Sequence, residues 1–442
     1  MITKEPIIRV GIVEHAREIR GVFEGHFRLS EGDSVKGKFT ARAVDGLVSV
    51  VDESGREVAR RGHIQAVPEG GSTLVLRDVT IGIQFHWERK EDQKFRGTLT
   101  LLAREDGTVT AINEVPLEEY LESVISSEMS AESPVELLKA HAITSRSWLV
   151  AMLERESRNV GIPSQRTIQR DGELVRWYDR EDHDLFDVCA DDHCQRYHGI
   201  TKVISAAASG AVRQTRGVFL VYADRICDAR FSKACGGMSE EFSTAWEDSN
   251  VPYLTTVSDA EVAFPPVKNE QDAQRWIAAR PEAYCNTTDG AILRQVLPSF
   301  DQETKDFFRW RIEYTQEEMA ELITRKSGID FGEIRSLRPL QRGPSGRIFR
   351  LKVEGTKNST IVGKELEIRR WLSPSHLYSS AFVVEPQGDR SGIPRKFVFR
   401  GAGWGHGVGL CQIGAAVMAA RGKRAEDIVI HFFRVAQLRT VY

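Results

Sequence analysis

Four short stretches of this 442-residue chain carry side chains that could do chemistry. From Gly401 to Gly409 every second residue is a glycine, and Trp404, His406 and, just beyond, Gln412 are set in and after the run. Glycine at that density costs backbone entropy and adds no core, so such a run exists to let backbone come close to something. An indole, an imidazole and an amide suit a polar, ring-shaped ligand such as a sugar; His406 as a structural hydrogen bonder and Trp404 as plain core are the alternatives. Glu128, in Ser126-Ser127-Glu128-Met129, falls at the C-terminal end of a helical pattern. There the helix dipole opposes its charge, and partial burial would make it a general acid; a solvated terminal glutamate is the plain alternative. Lys139 and Arg146 are seven apart and share one helix face, where they could clamp an anionic or hydroxyl-rich ligand, pair with Glu128, or form an ordinary charged stripe. Finally, His183, Cys189, His193 and Cys194 place four nitrogen and sulfur donors within twelve residues. That set suits a closed tetrahedral zinc site, with Asp191 and His198 as spare donors. A Cys189–Cys194 disulfide or two buried thiols would use the same residues differently.

Composition bounds what these residues can serve. Hydrophobic residues make up 41% and charged residues 28%, an ordinary globular profile. Sixty Lys and Arg against 63 Asp and Glu leave a net charge of −3, with no basic excess to neutralise phosphates, so nucleic acid is not expected as a partner. No stretch reads as a membrane span, and Met1 to Pro6 does not read as a signal peptide.

The elements that must position these residues follow from hydrophobic period. Residues 1–112 alternate apolar and polar between Gly and Asp turns, as in Ile7–Ile12, Phe39–Val44 and Gly97–Leu102, and predict a β-rich module. From Leu117 the period changes: Leu117, Tyr120, Leu121, Val124 and Ile125 form one face of a helix, with Pro116 at its first position. Ser133-Pro134-Val135-Glu136 predicts a second helix start with a capping box, running to about Leu153. Residues 113–262 then form the first part of a core, with Cys235 to Glu240 as a tight turn. Residues 263–330 read as a mostly helical insertion, with a capping box at Thr315 and a stop at Gly328. Residues 331–442 return to strands before the glycine loop and a closing helix. The fold class expected is α+β, with the returning strands and glycine loop walling an open cleft.

Taken together, the motifs resemble the SpoIID/LytB family, which includes the stage II sporulation protein D and the amidase enhancer. The resemblance rests on Pro116–Leu121, Ser127–Met129 and Glu136–Arg146, on Phe231–Glu240 with Trp246 and Pro252–Leu254, and on Gly403–Ala415, in the family's order. It covers nearly the whole chain, most weakly in the helical insertion. It departs at Cys411, where a Ser usually precedes the Gln, and at His141, where a Gln usually follows Lys-Ala.

The resemblance implies a peptidoglycan lytic transglycosylase that leaves 1,6-anhydro-muramic ends, with Glu128 as the catalytic carboxyl and Lys139 and Arg146 as functional positions beside it. Gly236, Gly237, Ser239, Trp404, His406 and Gln412 would bind substrate. A similar His…Cys…His-Cys order in some members implies a structural zinc on His183, Cys189, His193 and Cys194, and no organic cofactor is expected. Peptidoglycan glycan strands are the implied partner, and an extracytoplasmic location follows from that substrate. The other branch of the family name implies an alternative, a non-catalytic wall-binding enhancer of a separate amidase; a zinc hydrolase is a third reading, which a closed ligand set opposes.

Overall fold

The computed structural model describes residues 2–30, 34–83, 88–158, 166–170, 172–178, 183–191, 193–202, 205–297 and 306–442. It divides into two compact units: residues 1–146, 180–218 and 440–442 form the first, and residues 147–179 and 219–439 the second. Each unit is assembled from separated stretches of chain. The fold is α+β, with a β-rich N-terminal part.

The first unit is built on ten strands, β1 (Ile7–Ala16), β2 (Ile19–Leu29), β3 (Ser34–Val44), β4 (Leu47–Asp52), β5 (Glu57–Arg61), β6 (His63–Pro68), β7 (Thr73–Ile81), β8 (Arg89–Phe95), β9 (Thr98–Ala103) and β10 (Val109–Pro116). They pair in the order β1-β10-β9-β6-β2-β3-β4-β5, with β7 joining β2 to β8. Alternation places Ile19, Phe23, Phe27 and Leu29 of β2 inside, where Phe23 stacks on Phe39 at 4.4 Å. On the open edge of β1, residues Val188–Cys189 pair in parallel with Val10 and Gly11. Five of the first five residues of β10 are buried, and the strand runs straight into helix α1 (Leu117–Glu128). Pro116 is the N-cap of α1 and not its first turn, because its extended ψ of 147° still belongs to the strand.

The apolar face of α1 is as the sequence predicts: Leu117, Tyr120, Leu121, Val124 and Ile125 are all fully buried. Glu118, Ser123, Ser126, Ser127 and Glu128 are buried too, so the helix has little solvent face. Helix α2 (Val135–Arg158) is likewise buried at every position from His141 to Val150. The expected capping box at its start does not form. Ser133 Oγ is buried without a hydrogen-bond partner among the described residues, and Glu136 bonds Lys139. Helix α3 (Ala206–Gln214) is capped by Ser205, whose hydroxyl accepts from Ala207 N–H, and packs on α1.

The second unit holds a five-stranded sheet ordered 167–170, 173–176, 359–363, 348–355, 334–342, and a three-stranded sheet ordered 309–315, 393–402, 382–390. Trp310, Phe331, Ile348, Leu351, Trp371, Phe382 and Phe399 are in its main apolar core. The helix Gln316–Ser327 has the predicted capping box from Thr315 and Glu318 and ends on Gly328 at φ 75°. The mostly helical reading of 263–330 is corrected at Arg309–Thr315. This stretch is a strand paired antiparallel with Ile393–Ala402, and Trp310, Ile312 and Tyr314 alternate in it with period two.

Candidate functional site

In the first unit, the end of α1 and the segment that follows the 183–194 cluster hold one another. Glu128 is the last residue of α1 and 8% exposed, and one of its carboxylate oxygens accepts from the Arg196 backbone N–H at 3.0 Å. Two residues on, His198 N–H donates to Ser123 Oγ of the same helix at 3.0 Å. Gln195 receives the Tyr120 hydroxyl and donates to the Ser145 carbonyl of α2, while Tyr197 donates to Asn113 Oδ1 of β10 at 2.6 Å. Every residue from 195 to 198 is therefore tied to β10, α1 or α2. A carboxyl at a helix C-terminus, withdrawn from bulk water and oriented by a backbone donor, is arranged for proton transfer.

The cluster before this segment has metal-site geometry. The ligand atoms of His183, Cys189, His193 and Cys194 all lie within 4.8 Å of one another. His183 Nε2 is 3.3 Å and His193 Nδ1 3.6 Å from Cys194 Sγ. Tetrahedral zinc with ordinary bond lengths puts a nitrogen and a sulfur about 3.6 Å apart. The two cysteines are not bonded to one another. The hydrogen bond from Cys194 is the main cause that holds the Cys189 thiol well below its usual value, which favours the thiolate form at Cys189. The donor set fits zinc. The spare donors are placed elsewhere: Asp191 accepts from Gly82 and Ile83 N–H, and both nitrogens of His198 are buried without partners among the described residues, with burial lowering its pKa to about 4. The cluster is anchored at the sheet edge, where Asp187 N–H and Ala190 N–H donate to the Arg9 and Gly11 carbonyls of β1.

Lys139 and Arg146 do not form a common clamp. Lys139 Nζ is bonded to Glu136 at 2.7 Å and is 21% exposed. Arg146 is completely buried. Its Nε and Nη2 bond both oxygens of Glu118 at 3.0 and 2.6 Å, and Nη1 donates to the Val218 carbonyl at 3.1 Å. Glu118 also accepts from Gly217 N–H and the Tyr442 hydroxyl. Arg146 is thus paired with Glu118, in the first turn of α1. The apolar helix pattern hid Glu118, since nothing in its local sequence marks it as buried.

The remaining predicted residues lie in the second unit. The glycine loop brings backbone close to the protein itself: a Cβ on Gly407, at φ 76°, would stand 2.3 Å from the Arg347 guanidinium, and one on Gly409 would stand 2.1 Å from the Arg230 carbonyl. Arg347 is fully buried and donates to the Gly405 and Cys235 carbonyls. His406 Nδ1 accepts from Val408 N–H at 3.0 Å, and burial holds its pKa well below the usual range, so the ring is neutral. Trp404 stacks on Tyr378 at 4.2 Å and is half-buried. Gly236 and Gly237 form the expected turn, at φ 82° and 109°. Two expectations are corrected. Ser239 is fully buried, accepting from Val257 N–H and donating to the Thr255 carbonyl, and Gln412 is 2% exposed, so neither presents its side chain to a sugar. Cys411, where a Ser was expected, caps the following helix: its Sγ accepts from Gly414 and Cys235 N–H.

Sequence reasoning passed over two further features of this unit. Glu240 is fully buried, its Oε2 receiving the Ser345 hydroxyl at 2.7 Å, and burial raises its pKa to about 7. A cavity of about 360 Å³ is lined by Glu154, Arg155, Asp228, Glu247 and Tyr253, among others, and by none of the predicted site residues.

A mixed α+β protein with a buried helix pair, an oriented terminal carboxyl and a His2Cys2 cluster is the class these features define. Residues 105–222, which contain that whole site, match the family model described as stage II sporulation protein, so this segment carries the SpoIID domain. Residues 240–409 match a domain of unknown function, DUF8618. The stage II sporulation protein D of Bacillus amyloliquefaciens is 26% identical over 325 residues, 73% of this chain and 74% of the relative. That of Bacillus subtilis is 24% identical over 330 residues, 74% and 76% of the two chains. An uncharacterised protein of Brachyspira hyodysenteriae is 23% identical over 340 residues, 77% and 71% of the two. Among the described residues no helix is long and apolar enough to cross a membrane.

Proposed function

We propose that this chain is a peptidoglycan lytic transglycosylase, acting outside the cytoplasm on glycan strands. The observation that carries this reading is Glu128: a buried carboxyl at the end of α1, oriented by the Arg196 N–H, inside the segment that matches the SpoIID family. Ordinary glycosidases need two carboxylates, because water or an enzyme nucleophile must be managed separately from the leaving group. A transglycosylase needs one. Glu128 gives its proton to the glycosidic oxygen as the bond from C1 of N-acetylmuramic acid to N-acetylglucosamine breaks. The C6 hydroxyl oxygen of the same muramic residue then bonds to C1, and its proton passes to Glu128. The carboxyl is regenerated, no water is consumed, and the internal nucleophile supplies proximity.

In this reading Lys139, held by Glu136, orients the acetamido or lactyl groups, and Arg146 is a positioning residue that fixes α2 to α1 through Glu118. Half-buried Trp404 offers a ring face to sugar, and His406, bonded to the Val408 N–H, braces the loop that carries it. His183, Cys189, His193 and Cys194 would hold a structural zinc; four protein donors leave no open position, and the ion's contribution is to fix the segment that orients Glu128. The test is digestion of peptide-free glycan strands by wild type and Glu128→Gln. Anhydro-muramic products that vanish in the variant, with its melting temperature unchanged, support the assignment. Strands bound but left intact by the wild type would contradict it and favour the amidase-enhancer reading.

A further inference from the structure

Three of the six cysteines lie together in the second unit, and nothing in the proposed reaction uses them. Cys235, Cys285 and Cys411 are 2%, 2% and 0% exposed, and Asp259 beside them is 0% exposed. Their ligand atoms all fall within 4.8 Å of one another. Cys235 Sγ and Cys285 Sγ are 3.8 Å apart, too far for a disulfide. It is, however, the separation of about 3.8 Å that two thiolates adopt on one tetrahedral zinc.

The carboxylate supplies the independent sign of a ligand. Asp259 Oδ2 accepts from Cys285 N–H at 2.8 Å, which turns the group toward the thiols. Its other oxygen, Oδ1, is fully buried and finds no hydrogen-bond partner among the described residues. An unmatched buried carboxylate oxygen is costly, and native structures rarely leave one without a cause. Space is kept for it: a Cβ on Gly414 would stand 2.2 Å from Oδ1. Cys411 Sγ is also set up as an acceptor, receiving N–H groups from Cys235 at 3.2 Å and Gly414 at 3.4 Å. Positive charge lies close by, since buried Arg309 and Arg347 donate to the Gly236 and Cys235 carbonyls.

We propose that Cys235, Asp259, Cys285 and Cys411 form a second metal site, a closed Cys3Asp cage for zinc, separate from the His2Cys2 cluster. Three soft thiolates select zinc over magnesium or calcium, and four protein donors make the site structural. Binding displaces the thiol protons to solvent as the metal–sulfur bonds form. The placement of the ligands gives the site its purpose. Cys235 and Cys411 stand just outside the two ends of the 240–409 segment, while Asp259 and Cys285 stand inside it. The ion therefore clamps the two ends of this segment together. It also fixes Cys411, at the start of the helix Gln412–Ala420, against the Cys235-Gly236-Gly237 turn, and so holds the end of the glycine loop.

The test is zinc stoichiometry of the purified full chain by elemental analysis, with intact mass under denaturing conditions. The proposal does not rest on the transglycosylase reading, and Cys194→Ser separates the two clusters. The expected result is two zinc ions per wild-type chain, one in Cys194→Ser and one in Cys285→Ser. A single wild-type zinc that survives Cys194→Ser and is lost from Cys285→Ser also supports the cage. A single zinc that is lost from Cys194→Ser overturns it, as does zinc that Cys285→Ser retains in full. A denatured mass two hydrogen atoms light, mapped to Cys235 and Cys285, overturns it in favour of a disulfide. Should Cys285→Ser fail to fold, cobalt-loaded Cys194→Ser decides: intense thiolate-to-metal charge-transfer bands are expected, and a spectrum without them refutes the cage.

Discussion

Arg146→Met separates a positioning role from a catalytic one. The guanidinium is fully buried and shares both Glu118 oxygens, so the substitution leaves a buried carboxylate with only the Gly217 N–H and Tyr442 hydroxyl. Removing one partner of a buried pair costs about 3–5 kcal/mol, much of it from stranding the other charge. At roughly 2–4 °C per kcal/mol for a domain-sized unit, the melting temperature should fall by about 6–20 °C. Because the stranded charge drives the loss, adding Glu118→Leu should restore part of that stability. Differential scanning calorimetry of the wild type, the single and the double variant, run beside a product assay, reads both effects. Activity per folded molecule should fall mainly through kcat, as α1 and its terminal Glu128 lose their brace. An Arg146→Met protein that melts within about 2 °C of wild type yet cannot turn over would refute the argument, since so small a shift is under 1 kcal/mol. It would place Arg146 on the substrate.

Cys194→Ser should lose the His2Cys2 zinc and about 10–100-fold in kcat with KM little changed, because residues 195–198 carry the N–H that orients Glu128; steady-state kinetics with metal analysis checks this. Glu240 gives a pH signature. Burial raises its carboxyl from 4.5 to about 7, so between those values the folded chain holds a proton that the unfolded chain has released. Stability should therefore fall as pH rises through that window and level off above it, by about 1.4 kcal/mol per unit at most. Glu240→Gln should flatten this slope in denaturant titrations from pH 4 to 8, and an unchanged slope would assign the effect to another group.

What the sequence revealed depended on whether the signal was local. Period alone located α1 and its buried face, and the Thr315 capping box and Gly328 stop fell where the helix Gln316–Ser327 begins and ends. The twelve-residue spacing of His183, Cys189, His193 and Cys194 was visible because one loop supplies all four donors. Long-range partners were not. Glu118 looks like any first-turn acid until Arg146 and Tyr442 close over it, from 28 and 324 residues away. At the predicted Ser133 capping box, Ser133 Oγ finds no hydrogen-bond partner among the described residues, while Glu136 bonds Lys139 in the next turn. The glycine run was legible as a close approach, but its neighbours, Arg347 and the Arg230 carbonyl, come from remote strands and loops. Cys235, Asp259, Cys285 and Cys411 span 177 residues, so no spacing rule could gather them.

The central claim is that one carboxyl, Glu128, drives cleavage with the sugar's own C6 hydroxyl as nucleophile. Mass spectrometry of products formed in water enriched in heavy oxygen tests it most directly. The account predicts anhydro-muramic ends with no label incorporated, and none of these products from Glu128→Gln. Reducing ends that carry the heavy oxygen would contradict it, because water would then be the nucleophile and a second carboxylate would be required.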